Sequence, residues 1–171
     1  MKSFLAVYLV TIALPPMAAG AELSTTIKSE AQKCANAVLN QDFDVVVAQT
    51  HPRIVTFMGG KESMITTLKR GMADMRANGS VFSEVTIGTP ETPRKIGAWL
   101  TSIVPEQAVI KVKQGKLLVN SVLLGISEDE GRHWKFIDLG AVSSENFKTS
   151  FPELAGKIAL PEKKPPVFKK D

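Results

Sequence analysis

The spacing of apolar residues changes near Gly79. Before that position, apolar residues recur every three or four positions, which places them on one face of a helix. The first stripe consists of Leu23, Ile27, Ala31, Cys34 and Val38. After Gly79, apolar residues alternate or form short runs between turn residues, as strands do. The pattern therefore predicts an α+β fold, in which N-terminal helices pack on an antiparallel sheet.

Three helices are predicted before the sheet. The first follows the apolar stripe, where Cys34 is interpreted as a small buried hydrophobe, with a reactive thiol as the alternative. The second runs from Phe43 to Thr50 and ends at His51-Pro52, because the residue before a proline disfavours helical geometry. Residues 54–58 are predicted as a short strand. The third helix runs from about Lys61 to Ala77.

Five strands are predicted, joined mostly by short loops as in an antiparallel meander. They are Val81–Ile87, Lys95–Val104, Gln107–Lys113, Lys116–Ile126 and His133–Leu139. The fourth strand is apolar on both faces, although helices can cover only one face of a single sheet. We therefore expect a homodimer through Leu118, Val122, Leu124 and Ile126. The alternative is that residues 144–158 fold back over this face.

Residues 127–134 (SEDEGRHW) form the sharpest local motif. Asp129 can accept backbone N–H groups within a turn, and Gly131 can adopt a positive φ. Trp134 is large enough to pack over the hairpin. The pattern S-x-D-x-G-x-x-W, which begins at Ser127, resembles the Asp-box hairpin of sialidases. It occurs once here, so it predicts a structural hairpin and not a sialidase.

The N-terminus has the pattern of a secretory signal peptide. Met-Lys-Ser precedes an apolar run, Phe4–Leu14, and Ala19-Gly20-Ala21 provides small residues for cleavage. We therefore predict a signal peptide over residues 1–21, a single domain over residues 22–159 and a disordered Pro/Lys-rich tail over residues 160–171. The mature protein is expected to be exported, either periplasmic or secreted. With one cysteine in the chain, no internal disulfide is possible.

The positive charge is concentrated at the C-terminal end. Residues 22–156 contain 15 Lys/Arg and 15 Asp/Glu, whereas residues 157–171 contain five Lys against two acidic residues. A nucleic-acid-binding domain would carry a basic stripe on its folded surface. The charge pattern therefore argues against a nucleic-acid partner, and it predicts at most weak contact of the tail with an anionic membrane surface.

The order of elements resembles the nuclear transport factor 2-like superfamily, a cone-shaped, cystatin-like α+β fold. The landmarks are Asn40–Asp44, Thr50–Pro52, Gly59-Gly60 and Trp134–Phe136. The resemblance implies a pocket between the sheet and the helices. Some members of that superfamily are enzymes, such as ketosteroid isomerase, scytalone dehydratase and limonene-epoxide hydrolase, and many others only bind or dimerise.

The predicted pocket residues are Phe57, Met72 and Trp99. Isomerase-like chemistry requires a carboxylate base and a hydrogen-bond donor, often a tyrosine. The mature chain has no tyrosine, since Tyr8 lies in the signal peptide. His51 is the candidate catalytic residue, while Asp138 is expected at a rim or on the surface. No metal or cofactor signature is present.

Three functions compete at this point. The first is a non-catalytic exported domain that binds a small apolar ligand or a protein partner. The second is an isomerase, dehydratase or hydrolase that uses the pocket. The third is weak association of the basic tail with an anionic surface. A carboxyl or imidazole pKa strongly shifted inside the pocket would favour the second.

Overall fold

The computed structural model describes residues 16–170. This part of the chain contains five helices and six strands. The helices are α1 (Pro16–Asn40), α2 (Phe43–Gln49), α3 (Pro52–Phe57), α4 (Lys61–Ala77) and α5 (Ser144–Ser150). The strands are β1 (Val81–Ile87), β2 (Arg94–Ile96), β3 (Trp99–Val112), β4 (Gly115–Ser127), β5 (Lys135–Asp138) and β6 (Val167–Lys170).

The predicted α+β class is confirmed. Helices α1–α4 precede one antiparallel sheet of six strands, whose central order is β1-β3-β4-β5. Strand β2 also pairs with β3, and β6 also pairs with β4. We call the face that contacts α1 the inner face and the opposite face the outer face.

The segment after His51 is a helix, so the predicted strand over residues 54–58 is wrong. His51 is the N-cap of α3, and its Nδ1 accepts a hydrogen bond from the Arg53 N–H at 3.2 Å. Pro52 occupies the first turn, where its missing N–H leaves no intrahelical bond unmade. Four helices therefore precede the sheet instead of the predicted three.

The two strands predicted on either side of Pro105 are one continuous strand, β3. Pro105 accepts a hydrogen bond from the Gly88 N–H at 2.8 Å. The nitrogen of Pro105 faces the β1 side of β3. The pairing with β1 has already ended there, at Ile87 and Glu106, so the missing N–H removes no hydrogen bond of the sheet. The first two residues of the predicted second strand, Lys95 and Ile96, belong instead to the short strand β2, which also includes Arg94.

The inner face packs against α1 through small side chains. Ile27 and Ala31 of α1 are fully buried, and Ala35 is nearly so. The strand residues of this cluster are Val85, Ile87, Val104, Ala108, Leu123 and Phe136, and Trp134 just before β5 joins them.

The outer face is covered by α5 and the turns that follow it. Buried sheet residues on this side are Ile96, Leu124, Ile126 and Ile137, and they pack with Phe147, Phe151, Leu154 and Ile158. Residues 144–158 thus fold back over the face, which is the alternative to a dimer there. This cover removes the argument for a partner at Leu124 and Ile126, and homodimerisation stays a prediction.

The turn between β4 and β5 is held by side-chain hydrogen bonds. Ser127 Oγ donates to Asp129 Oδ1 at 2.9 Å and accepts from the Gly131 N–H at 2.8 Å. Asp129 Oδ1 also accepts from the His133 N–H at 2.9 Å. Gly131 has φ +92°, and Trp134, which is 1% exposed, donates from Nε1 to the Gly131 carbonyl at 3.0 Å. These four motif residues therefore have structural contacts within the turn.

The C-terminal segment differs from the predicted disordered tail. Residues 167–170 form β6, which pairs with residues 115–118 of β4. A Cβ at Gly115 would collide with the carbonyl oxygen of Lys169, so a glycine is required for this approach. The sequence did not reveal β6 because its lysines and the preceding prolines resemble a solvated linker.

Strand β6 completes a row of lysines on the sheet. Lys111 of β3 pairs with Lys116 of β4, which pairs with Lys169 of β6. Directly paired residues in an antiparallel sheet project to the same face, so the three side chains form one basic row. Contact of this end of the molecule with an anionic surface stays a prediction.

The predicted signal peptide lies largely outside the described residues. Residues 16–21 of that segment form the beginning of α1. Within residues 16–170, no helix combines the length and apolar character needed to cross a membrane. Cleavage and export stay predictions.

Candidate functional site

A cavity of about 500 Å³ lies between the helices and the inner face of the sheet. Its helical walls come from α1, α2, α3 and α4, and its floor comes from β1, β3, β4 and β5. The helical lining residues are Cys34, Ala35, Val38, Val46, Ile54, Phe57, Met64 and Leu68. The sheet contributes Phe82, Val85, Glu106, Leu123, Phe136, Ile137 and Asp138, and Thr50, Met58, Ala141, Val142 and Asn146 complete the wall.

The junction of α2 and α3 fixes one wall of this cavity. The His51 N–H donates to the Phe136 carbonyl at 3.0 Å, and Thr50 forms a β-bridge with Phe136. These bonds tie the junction to β5. Ile54 and Phe57 of α3 then line the cavity, so the wall is apolar and partly aromatic.

Glu106 projects from β3 into the cavity. Val104 and Ala108, two positions before and after it, are both buried in the inner-face core, and alternate residues of a strand share a face. Within residues 16–170, the Glu106 carboxyl forms no hydrogen bond or ion pair. Burial, reinforced by the charge of Asp138, raises its pKa to about 7.

Asp138 is the second carboxylate of the cavity. Its Oδ1 accepts hydrogen bonds from Ser121 Oγ at 2.7 Å and from the Gly140 N–H at 2.8 Å. Ser121 lies opposite Glu106 in the β3–β4 register, so both carboxylates are on neighbouring rows of one face. Asp138 is itself exposed, which places it where the cavity opens to solvent. This position agrees with the expected rim.

Cys34 lines the same cavity from α1. Burial raises the pKa of its thiol to about 11, and the charges of Glu106 and Asp138 act in the same direction. The thiolate is the nucleophilic form of cysteine, and the thiol stays protonated here at neutral pH. Cys34 therefore acts as a small hydrophobe in the wall, as interpreted from the sequence.

Of the three predicted pocket residues, only Phe57 lines the cavity. Met72 lies further along α4, where it lines a separate space of about 40 Å³ beside Met75 and Val81. Trp99 begins β3 and packs in the outer-face layer instead. Met72 was misplaced because helical spacing alone does not show which turn of α4 faces the cavity. Trp99 was misplaced because the alternation of side chains along β3 directs it to the outer face.

His51, the predicted catalytic candidate, lies outside the cavity lining. It is 3% exposed and packs edge-on to the Phe151 ring, with centroids 5.0 Å apart. Burial, and secondarily the charge of Arg53, lowers its pKa to about 4, so the imidazole is neutral at neutral pH. Its Nε2 has no hydrogen-bond partner within the described chain, and the nearest carboxylate oxygen, Glu128 Oε1, is 3.7 Å away. His51 is therefore a structural N-cap.

No Lys, Arg or His side chain is among the lining residues that the described chain contributes to the cavity. Residues 16–170 also contain no group of three or more His, Cys, Asp or Glu that could hold a metal ion. The polar lining groups are Glu106, Asp138, Cys34, Thr50 and Asn146. Their chemistry suits proton transfer and hydrogen bonding.

Glu106 is the site residue that the sequence analysis missed. A strand break was predicted at Pro105, which hid the alternation of Val104, Glu106 and Ala108. A charged residue between two inward-facing apolar residues of one strand is a signal for a buried carboxylate. That signal appears only once β3 is treated as continuous.

Comparisons with known proteins show no family for this chain. No protein-family profile and no curated protein matches it. Among solved structures, an LEH-like epoxide hydrolase of M. tuberculosis is similar over 74% of this chain and 90% of that chain, at 17% sequence identity and a TM-score of 0.40. At this level of similarity, nothing about the activity of this chain follows. The Asp-box resemblance has no support from these comparisons.

Proposed function

We propose that this chain binds a small, largely apolar molecule in the inner-face cavity and that Glu106 contacts the polar atom of that ligand. The observation that carries the proposal is an apolar cavity of about 500 Å³ with a carboxyl in its wall that has no protein partner. Ligand pockets in proteins are typically ~300–1,000 Å³, mostly apolar, with a few polar groups that orient the ligand.

The unpartnered carboxyl supports a ligand more strongly than the apolar wall does. Glu106 is partly buried, and a polar group withdrawn from water without a hydrogen bond costs free energy, up to about 1–3 kcal/mol when it is fully buried. A ligand that hydrogen-bonds Glu106 would recover part of this cost. With a pKa of about 7, the carboxyl is available both as a donor and as an acceptor near neutral pH.

Binding can be tested with the neutral fluorophore N-phenyl-1-naphthylamine. We expect its emission to rise with the wild-type protein and Ala141→Trp to weaken its affinity at least tenfold, because Ala141 is an exposed residue of the cavity wall. Ala73→Trp is the matched control, since Ala73 is an exposed residue of α4 outside the lining. Equal binding by all three proteins would contradict the proposal.

A second candidate function is proton-transfer catalysis by Glu106. The specific observation in its favour is the raised pKa of about 7, since an acid–base group works best with a pKa near the operating pH. In this reaction, the Glu106 carboxylate removes a proton from a carbon next to a carbonyl and then returns it from the carboxylic acid. Asp138 helps to hold the Glu106 pKa in this range.

Catalysis and simple binding differ in one measurement. In D₂O, a catalytic Glu106 would promote deuterium incorporation next to the carbonyl of 4-phenylcyclohexanone, which is followed by NMR. Glu106→Gln should then abolish the exchange while the ketone still binds. If the ketone binds to the wild-type protein and its exchange stays at the solvent rate, the chain is a binding protein.

A further inference from the structure

The charges that face the cavity are of one sign. Glu106 faces it from β3 and Asp138 from β5, while the other titratable lining group is the Cys34 thiol on α1. The remaining lining elements, α2, α3, α4, α5, β1 and β4, contribute no charged side chain. We propose that the ligand is an organic cation, an apolar amine whose single positive charge pairs with Glu106. This inference rests on the proposed function.

Basic residues close to the cavity have partners elsewhere. Lys61 at the start of α4 pairs with Asp44 at 2.6 Å, and Lys135 of β5 donates to the Ala48 carbonyl. Arg53 of α3 forms a two-bond ion pair with Glu153 on the outer side. These basic residues therefore do not neutralise the negative charge of the cavity. A positively charged ligand would neutralise it.

Aromatic side chains in the lining supply a second kind of contact for a cation. Phe57, Phe82 and Phe136 all line the cavity. A cation over the face of an aromatic ring is attracted by the ring quadrupole, and this attraction grows when water is excluded. The remaining aliphatic lining suits the hydrocarbon body of the same molecule. A neutral ligand would use the apolar wall but not the charge.

The pairing makes a definite prediction for pH. Only the ionised Glu106 attracts a cation, so binding an amine must lower the Glu106 pKa, and affinity must rise as Glu106 ionises. For a carboxyl of pKa about 7, the ionised fraction increases about tenfold between pH 6 and pH 8. Amine affinity should therefore rise by about that factor over this range, while the amine itself stays protonated.

The experiment uses a matched pair of probes, 4-phenylbutylamine and 4-phenylbutan-1-ol, titrated calorimetrically at pH 8. They share a hydrocarbon body and differ in the charged end. We expect the amine to bind at least tenfold more tightly than the alcohol, and Glu106→Gln to remove most of that preference, since only the exposed Asp138 then remains. Alcohol affinity should stay within about twofold. Glu84→Gln is the control, because Glu84 is an exposed carboxylate of β1 outside the lining.

A second measurement does not depend on a variant. The Glu106 carboxyl is followed by ¹³C NMR in the wild-type protein across pH 4–9, with and without the amine. A lower Glu106 pKa in the presence of the amine supports the pairing, and an unchanged pKa overturns it. If the alcohol binds as tightly as the amine, the ligand is not a cation but the binding cavity stands. If neither probe nor the fluorophore binds, the proposed function itself fails.

Discussion

The two faces of the sheet each hold one ionisable side chain whose pKa is strongly shifted, and the two shifts have opposite signs. On the inner face, Glu106 lines an open cavity and its pKa is raised to about 7. On the outer face, His51 is enclosed by Trp99 and Phe151 and its pKa is lowered to about 4. Loss of water is the main cause in both, and the directions differ because the charged form is an anion in one case and a cation in the other.

Space next to the group separates a functional site from a structural contact. His51 is enclosed by aromatic rings, and its Nδ1 accepts the cap hydrogen bond from the Arg53 N–H, so the imidazole is closed to a ligand. Glu106 has an apolar cavity in front of it. A shifted pKa therefore indicates a site here only in combination with an accessible volume.

The largest expected effect comes from removing an aromatic ring from each face. Phe151 is fully buried in the outer layer, whereas Phe57 is 57% exposed at the cavity. We expect Phe151→Ala to reduce the free energy of unfolding by about 3–5 kcal/mol, as for large buried residues. Phe57→Ala should cost under ~1 kcal/mol. Urea denaturation measures both, and similar costs would show that the cavity wall is as tightly packed as the outer layer.

The second prediction concerns the pH dependence of stability that His51 causes, which is measured in a variant without the Glu106 carboxyl. The His51 pKa is lowered in the folded state, so its contribution to stability is complete above the unfolded value of 6.5 and is lost as pH falls towards 4. In Glu106→Gln, stability should therefore increase by about 2–3 kcal/mol between pH 4.5 and pH 6.5. Chemical denaturation at each pH provides the test. A flat profile in this variant would show that His51 is solvated.

The converse variant isolates Glu106. Its folded pKa is raised, so stability is highest below the unfolded value of 4.5 and is lost as pH rises through about 7. We expect His51→Asn, which retains an N-cap acceptor, to lose about 1–3 kcal/mol between pH 4.5 and pH 7. In the wild-type protein the two slopes oppose each other between pH 4.5 and pH 6.5. A wild-type profile as steep as either variant would contradict this balance.

The smallest expected loss of stability comes from removing the C-terminal strand β6. Every residue of β6 is exposed, although it is hydrogen-bonded to β4. A chain that ends at Leu160, which keeps the contact of Leu160 with the outer-face core, should therefore lose only about 1 kcal/mol of stability, chiefly from the freed edge of β4. Thermal melting of the truncated and full-length proteins measures this loss. A decrease comparable to that of Phe151→Ala would mean that β6 belongs to the core.

Local periodicity predicted much of the fold. The predicted helix Lys61–Ala77 and strand Val81–Ile87 have the bounds found for α4 and β1. The apolar residues of α4 recur at helical spacing between Gly60 and Asn78, and those of β1 are rich in β-branched residues and end at Gly88. Where a proline intervened, the prediction failed, because Pro52 begins a helix and Pro105 lies within a strand. A proline breaks an element only where its missing N–H is needed.

The candidate site was harder to predict, because a cavity depends on the distances between elements. Phe57 does line the cavity, although its segment was predicted as a strand and is the helix α3. Trp99 and Met72 were not, since aromatic or flexible side chains suit a packed layer as well as a pocket. Glu106 required knowledge that its carboxyl has no partner, which follows only from the packed structure.

The pairing of β6 with β4 has a consequence for synthesis of the chain. Leu118 of β4 is made 49 residues before its partner Val167. At translation rates of ~5–20 residues per second, this edge of the sheet stays open for roughly 2–10 seconds on each nascent chain. Two chains made close together on one messenger RNA would then compete for the same β6 segments. Strand exchange between neighbouring nascent chains is thus a hazard that grows with the density of ribosomes.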